Sequence, residues 1–264
     1  LDIPLGKQVK QPSKYAPEAL AALPRALARD KSGIDAGAFI GLDRWTAYEF
    51  AWLDSEGRIH PGTLDIEIAP SSKNIVESKS LKLYLNSCYY ARFSGLEEVR
   101  SELSKTLGQC VEGAVKVNLL PLADSNNLLA ITDPVGQCID QAKLDTETSL
   151  AIESEVIVHE QLYSQVFRSL CPVTSQPDWA TILIEYRGAK LSQSRLLSYL
   201  QSYAEHDGFH ENCVELIYSD ILALPGIEQV AVCAKFLRRG GIDICPFRTS
   251  SKEFFEPKGR LIRQ

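Results

Sequence analysis

ESKSLKLYLNS at residues 77–87 and SQSRLLSYLQS at residues 192–202 decide the fold, because YLNS (84–87) returns as YLQS (199–202) after 115 residues. Val99 and Val214 stand at the same offset. In the first copy Leu81, Tyr84 and Leu85 make an apolar helical stripe, while Lys79 and Lys82 share another face. Upstream, TAYEFAWLD (46–54) reads extended, SEGR (55–58) supplies turn residues, and Leu64, Ile66 and Ile68 alternate with Asp65 and Glu67 at period two, which predicts a β-hairpin. Downstream, Ser94 is expected to cap a second helix, with Glu97 completing a capping box. Leu96, Val99, Leu103 and Leu107 follow the helical period there, and Gly108 is the stop signal. AVKVNLLPL (114–122) then resumes the sheet.

The second copy has the same surroundings: extended TILIEY (181–186), helices over SRLLSYLQSY (194–203) and from about His210 to Leu224, and strand-like VAVCAKFL (230–237). A repeated β-β-α-α-β-β order predicts the α+β class, with two modules that each carry an antiparallel sheet backed by helices. Residues 45–140 and 141–264 are the expected modules, joined near 125–155. Residues 1–44 are expected to form an arm over the surface, with LPRALARD (23–30) as its one short helix. Open sheet edges favour assembly by edge pairing.

Composition narrows the function classes. The chain has 264 residues, 45% hydrophobic and 23% charged, an ordinary globular balance, and no apolar run approaches the roughly 18–20 residues that a bilayer span needs. A net charge of −6 argues against a broad nucleic-acid surface, which would need cations to displace counterions from phosphates. Seven cysteines without a CxxC pair argue for reduced thiols. The start, LDIPLGKQVKQPSKY, has no basic segment followed by an apolar one, so a soluble cytoplasmic protein is expected. His210, Cys213 and distant Cys171 lack the paired spacing of a zinc site, and no metal is expected.

Four segments can carry chemistry: CPVTSQPDWA (171–180), GFHENCVE (208–215), ESKSLK (77–82) and RRGGIDICPFR (238–248). In the first, Cys171 and Asp178 place a nucleophile and an acid on either side of a turn stiffened by Pro177, which fixes its own φ and restricts Gln176. Each segment also has a plain structural reading. An isolated Cys is an ordinary small core residue, Glu77 can cap a helix, Lys79 and Lys82 can form a solvated face, His210 can open a helix, and RRGG can be a turn. The residues alone leave both readings open.

Together, CPVTSQPDWATI, ESKSLKLYL and GFHENCVE resemble the signature segments of the NADPH-dependent 7-cyano-7-deazaguanine reductases, the nitrile reductases of queuosine biosynthesis. The resemblance runs from LGK (5–7) and PRALARD (24–30) through WTAYEFAWL (45–53) to RRGGIDICPFR, in the layout of the family's longer, two-module form. It implies two tandem tunnelling-fold (T-fold) modules, the second of which, reading SQSRLLSYL, has lost the Glu and Lys residues of ESKSLK. It also implies roles. Cys171 would be the nucleophile that forms a covalent thioimide with the nitrile, Asp178 the proton relay and His210 a second proton-transfer residue. Glu77 and Glu211 would bind the deazaguanine edge, Phe209 would stack on the ring and Ser78 would line the pocket. Two NADPH would serve as co-substrate. Lys79, Lys82 and Arg239 suit its phosphates, and Gly240 suits a close backbone approach. No GxGxxG follows a strand, so a Rossmann site is not expected. A homodimer is implied as well. Three alternatives remain: an amidino-type transferase of the same fold, a non-catalytic purine-binding module, and a zinc hydrolase of the cyclohydrolase kind built on Cys171, His210 and Cys213.

Overall fold

A computed structural model describes Gly6 and residues 9–264, so Leu5 and Lys7 of the LGK segment lie outside the described residues. The elements in chain order are β1 (Ala22–Pro24), α1 (Ala26–Ser32), β2 (Ile40–Leu53), β3 (Ile59–Ile68), β4 (Asn74–Val76), α2 (Ser78–Ser87), α3 (Leu96–Val111), β5 (Val115–Pro121), α4 (Asn126–Leu129), β6 (Gln137–Cys138), β7 (Ile152–Leu170), β8 (Pro177–Leu191), α5 (Gln193–Ser202), α6 (His210–Leu222), β9 (Ile227–Phe236) and β10 (Ile242–Thr249). They form two compact units. The first takes residues up to Ala28, Asp43–Ala130 and Arg238–Asp243; the second takes Arg29–Leu42, Ile131–Leu237 and Ile244–Gln264. No helix among the described residues is long and apolar enough to cross a membrane.

In the first unit β3 lies between β2 and β5, antiparallel to both. Period-two alternation puts Trp45, Ile66 and Val117 in one cross-strand row and Ala47, Leu64 and Leu119 in the next, all buried. α3 packs on β5 and buries Val99, Leu103, Leu107 and Val111, so the predicted stripe gains Val111 while Leu96 stays half-buried. The capping box differs from expectation. Gly95 is the N-cap, and Ser94 donates through both its backbone N (2.6 Å) and its Oγ (2.7 Å) to Glu98, whereas Glu97 pairs with Arg100. Gly108 does not stop the helix either, because Val111 still has core to bury and Glu112 ends it in the left-handed region at φ 48°.

In the second unit the strand order is β10-β9-β8-β7-β6. Ala180, Ile182, Ile184 and Tyr186 of β8 face Phe236, Ala234, Val232 and Val230 of β9, and this buried face packs with Leu196, Leu197 and Leu200 of α5 and Val214, Ile217 and Ile221 of α6. β7, absent from the sequence reading, is 19 residues long. Its first ten residues have no buried side chain, so their alternation carries no apolar signal.

The repeat holds at atomic detail. Glu77 and Ser192, 115 residues apart, are the N-caps of α2 and α5, and each side chain accepts from the first turn of its helix. At the other end Ser87 Oγ donates to the Tyr84 carbonyl (2.6 Å) and Ser202 Oγ to the Tyr199 carbonyl (2.7 Å). Within the expected arm, residues 22–29 are built into the fold. β1 pairs with β4, and Arg25 and Arg29, one helical turn apart, are both buried. Arg25 meets Asp43 at 2.6 Å and Arg29 meets Glu215 at 2.7 Å. Buried guanidinium groups need such partners, and a reading of PRALARD by polarity alone places them in water. Ser192→Ala should cost about 1 kcal/mol through the lost cap, and Ile217→Ala about 2–5 kcal/mol through the cavity it leaves, both measured by urea unfolding.

Candidate active site

The β7–β8 hairpin presents Cys171. Its ladder ends at the pair Leu170–Pro177, so residues 171–176 are the loop. Ser175 N donates to the Cys171 carbonyl and Cys171 N to the Gln176 carbonyl, both at 2.9 Å, and Ser175 takes a left-handed φ of 53° to close the turn. Pro177 is the first residue of its strand, where a missing N–H costs the ladder little. Cys171 is 2% exposed and Asp178 7%. Asp178 is the cross-strand partner of Ser169, two residues before the cysteine. Beside it Trp179 stays partly exposed, with the Arg168 guanidinium 5.9 Å from its ring.

α6 brings the histidine. Phe209 is its N-cap, His210 its first residue, and Glu211 sits in the first turn, where the helix dipole favours an anion. His210 Nε2 lies 3.2 Å from Asp178 Oδ2, and the imidazole is stacked at 3.7 Å on Phe236. Cys213, the next thiol along, is fully buried. Burial pushes it up to about 12, with the Asp178 and Glu211 carboxylates adding to the effect, so it stays a thiol at neutral pH. Among the described residues no group of three or more His, Cys, Asp or Glu side chains is arranged to hold a metal ion.

One turn beyond Glu211, Glu215 is buried between two arginines that sequence reasoning did not connect to it. Arg29 binds it through Nε and one terminal nitrogen at 2.9 and 2.7 Å, and Arg248 does so at 3.1 and 2.8 Å. Both guanidinium groups also lie over the Phe39 ring, at 5.5 and 5.3 Å. PRALARD, GFHENCVE and RRGGIDICPFR thus each give one residue to a single ion cluster.

In the first unit Glu77 is buried, and its two carboxylate oxygens accept from Lys79 N (2.6 Å) and Ser80 N (2.8 Å). The cap reading and the binding reading are compatible, since each carboxylate oxygen keeps a lone pair. Ser78 opens α2. The RRGG segment is a tight turn closed between Arg239 and Ile242, with Gly240 at φ 58° and Gly241 at φ 84°. A Cβ on Gly240 would lie 2.8 Å from both Cδ and Nζ of Lys82, so the structure brings Lys82, Arg239 and Gly240 together. Arg238, which the sequence reading passed over, lies 4.6 Å above the Tyr48 ring, and Tyr48 donates to Asp243.

A family model described as "Nitrile reductase, 7-cyano-7-deazaguanine-reductase N-term" matches residues 11–119, and one described as "QueF-like protein" matches residues 177–254. The NADPH-dependent 7-cyano-7-deazaguanine reductase of Saccharophagus degradans is 41% identical over 269 residues, covering 99% of both chains. That of Desulfotalea psychrophila is 42% identical over 271 residues, covering 99% of this chain and 97% of the relative. The chain belongs to the 7-cyano-7-deazaguanine reductase family. As in that family, it is an α+β protein of two tunnelling-fold modules, with antiparallel sheets backed by helices. Cys171 falls between the two matched segments and is covered by the full-length similarity to the reductases. Glu215→Ala should cost about 3–5 kcal/mol by leaving buried cations without their carboxylate, read as a lower unfolding midpoint in urea.

Proposed function

We propose that this chain reduces the nitrile of 7-cyano-7-deazaguanine to the primary amine 7-aminomethyl-7-deazaguanine at the expense of two NADPH, through a covalent thioimide on Cys171. The observation that carries the reading is the contact of His210 with Asp178, on the strand that leaves the Cys171 loop, in a chain that matches named reductases over 99% of its length. The cysteine sulfur adds to the nitrile carbon, and Asp178 takes the thiol proton and returns it to the nitrile nitrogen. A poor hydride acceptor becomes a C=N group, so one hard step is split into easier ones. NADPH supplies the hydrides. After the first hydride reaches the thioimide carbon the C–S bond breaks and the sulfur leaves as thiolate, which takes back a proton. The second hydride goes to the carbon of the released imine, and His210 and Asp178 pass protons from solvent to the nitrogen.

Glu77 and Glu211 suit the guanine-like edge, whose N1 and 2-amino groups donate to carboxylate. Phe209 offers a stacking face, and Ser78 a small hydroxyl. Lys79, Lys82 and Arg239 are the cations proposed for the cofactor phosphates, with Gly240 allowing a close backbone approach. The fit is supported by Lys82 lying against Gly240, where any side chain would displace it. The modules at 45–140 and 141–264 are read as tandem copies on the strength of the 115-residue repeat. Seven free cysteines are in keeping with a cytoplasmic protein. We also infer a homodimer, no direct nucleic-acid partner, and a place in queuosine biosynthesis for tRNA modification.

The test is NADPH absorbance on mixing with 7-cyano-7-deazaguanine, together with the protein mass when NADPH is withheld. Two NADPH consumed per nitrile and an adduct lost in Cys171→Ala are expected. An adduct without NADPH oxidation would indicate the transferase, and neither signal a binding module. Asp178→Asn should lower kcat by about 10²–10⁴-fold, measured in the same assay.

A further inference from the structure

The segment between α5 and α6 holds the two halves of the reaction centre together. Leu170 N donates to the His206 carbonyl (2.9 Å) and Gly208 N to the Leu170 carbonyl (3.1 Å), a parallel bridge immediately before Cys171. Two residues after Gly208 the same strap reaches His210. The His206 ring packs on Tyr203, with centroids 5.0 Å apart, and its Nε2 is buried with no hydrogen-bond partner among the described residues. That nitrogen lies 3.0 Å, and Cys213 Sγ 3.1 Å, from the point where a Cβ on Gly208 would stand, so imidazole and thiol converge under the strap. Burial holds the imidazole below its usual pKa, Lys31 adds to this and Asp207 opposes it. The ring is therefore neutral at neutral pH.

A ring that only filled this space would serve better without nitrogen, because an unsatisfied buried polar atom costs about 1–3 kcal/mol. Such atoms in a native fold call for a functional partner. We propose that His206 is a positioning residue of the Cys171 centre. Through the backbone bridge to Leu170 it sets Cys171 relative to His210, and its ring nitrogen gains its hydrogen bond when Cys171 engages substrate. The inference rests on Cys171 being the nucleophile.

The test compares full-length His206→Phe and His206→Gln with the unsubstituted chain. Two rates are read by mass: alkylation of Cys171 by iodoacetamide, and adduct formation with 7-cyano-7-deazaguanine without NADPH. The Phe variant should melt no lower than the parent, yet form the adduct about tenfold more slowly, the kinetic equivalent of one hydrogen bond. The Gln variant, which keeps a polar nitrogen, should recover most of that rate. If Phe does not fold, His206→Leu takes its place, and a Gln variant as slow as the apolar one overturns the proposal. Equal adduct rates in all variants overturn it too. If the parent forms no adduct, the nitrile reading fails, and a Cys171 alkylation rate that falls in Phe and returns in Gln still upholds the positioning role.

Discussion

Glu215 on α6 is buried, and Arg29 and Arg248 both turn onto its carboxylate. Taking these charges out of water is costly, and the cost is offset only where the geometry satisfies them. Arg248 meets that condition with its remaining nitrogen on the Leu42 and Phe247 carbonyls. The cluster has few alternative arrangements, since both guanidinium groups are also fixed over Phe39. α6 is consequently pinned in rotation and along its axis, and His210 and Glu211 are carried on its first turn. The contact of His210 with Asp178 thus depends on charges held a full turn further along the same helix.

The duplication separates what both copies keep from what each copy holds alone. Both copies keep a capped helix, a closing serine and an aromatic at the same offset, because each helix needs its ends satisfied and its stripe buried. The cap itself differs, Glu77 against Ser192. Glu77 accepts from two backbone N–H groups of its first turn and Ser192 from one. Lys79 and Lys82 have no counterparts in the second copy, which reads Ser194 and Leu197 at those positions. That copy carries Cys171, Asp178 and His210 instead.

Much of this was legible in the sequence, and for identifiable reasons. The β2–β3 hairpin, α2, α5 and α6 follow from periodicity that burial enforces. That Cys171 and Asp178 flank one turn was legible because their relation is local, seven residues apart with Pro172 and Pro177 between them. What escaped was non-local. Arg25 and Arg29 read as surface charges because their partners, Asp43 and Glu215, lie far along the chain. β7 escaped because half of it faces water. His206 escaped because its surroundings are built by the Leu170 bridge, Tyr203 and Gly208, none of which marks it in one dimension.

The placement of the tryptophans has an optical consequence. Of the three in the chain, Trp45 and Trp52 are buried in the first unit, and Trp179 is 39% exposed beside Asp178. Indole emission moves to longer wavelength in a polar medium, so the red edge of the fluorescence spectrum belongs to Trp179. The chain therefore carries a built-in spectroscopic label on the strand that follows Cys171, resolved by colour from the two indoles that report on the first unit's core.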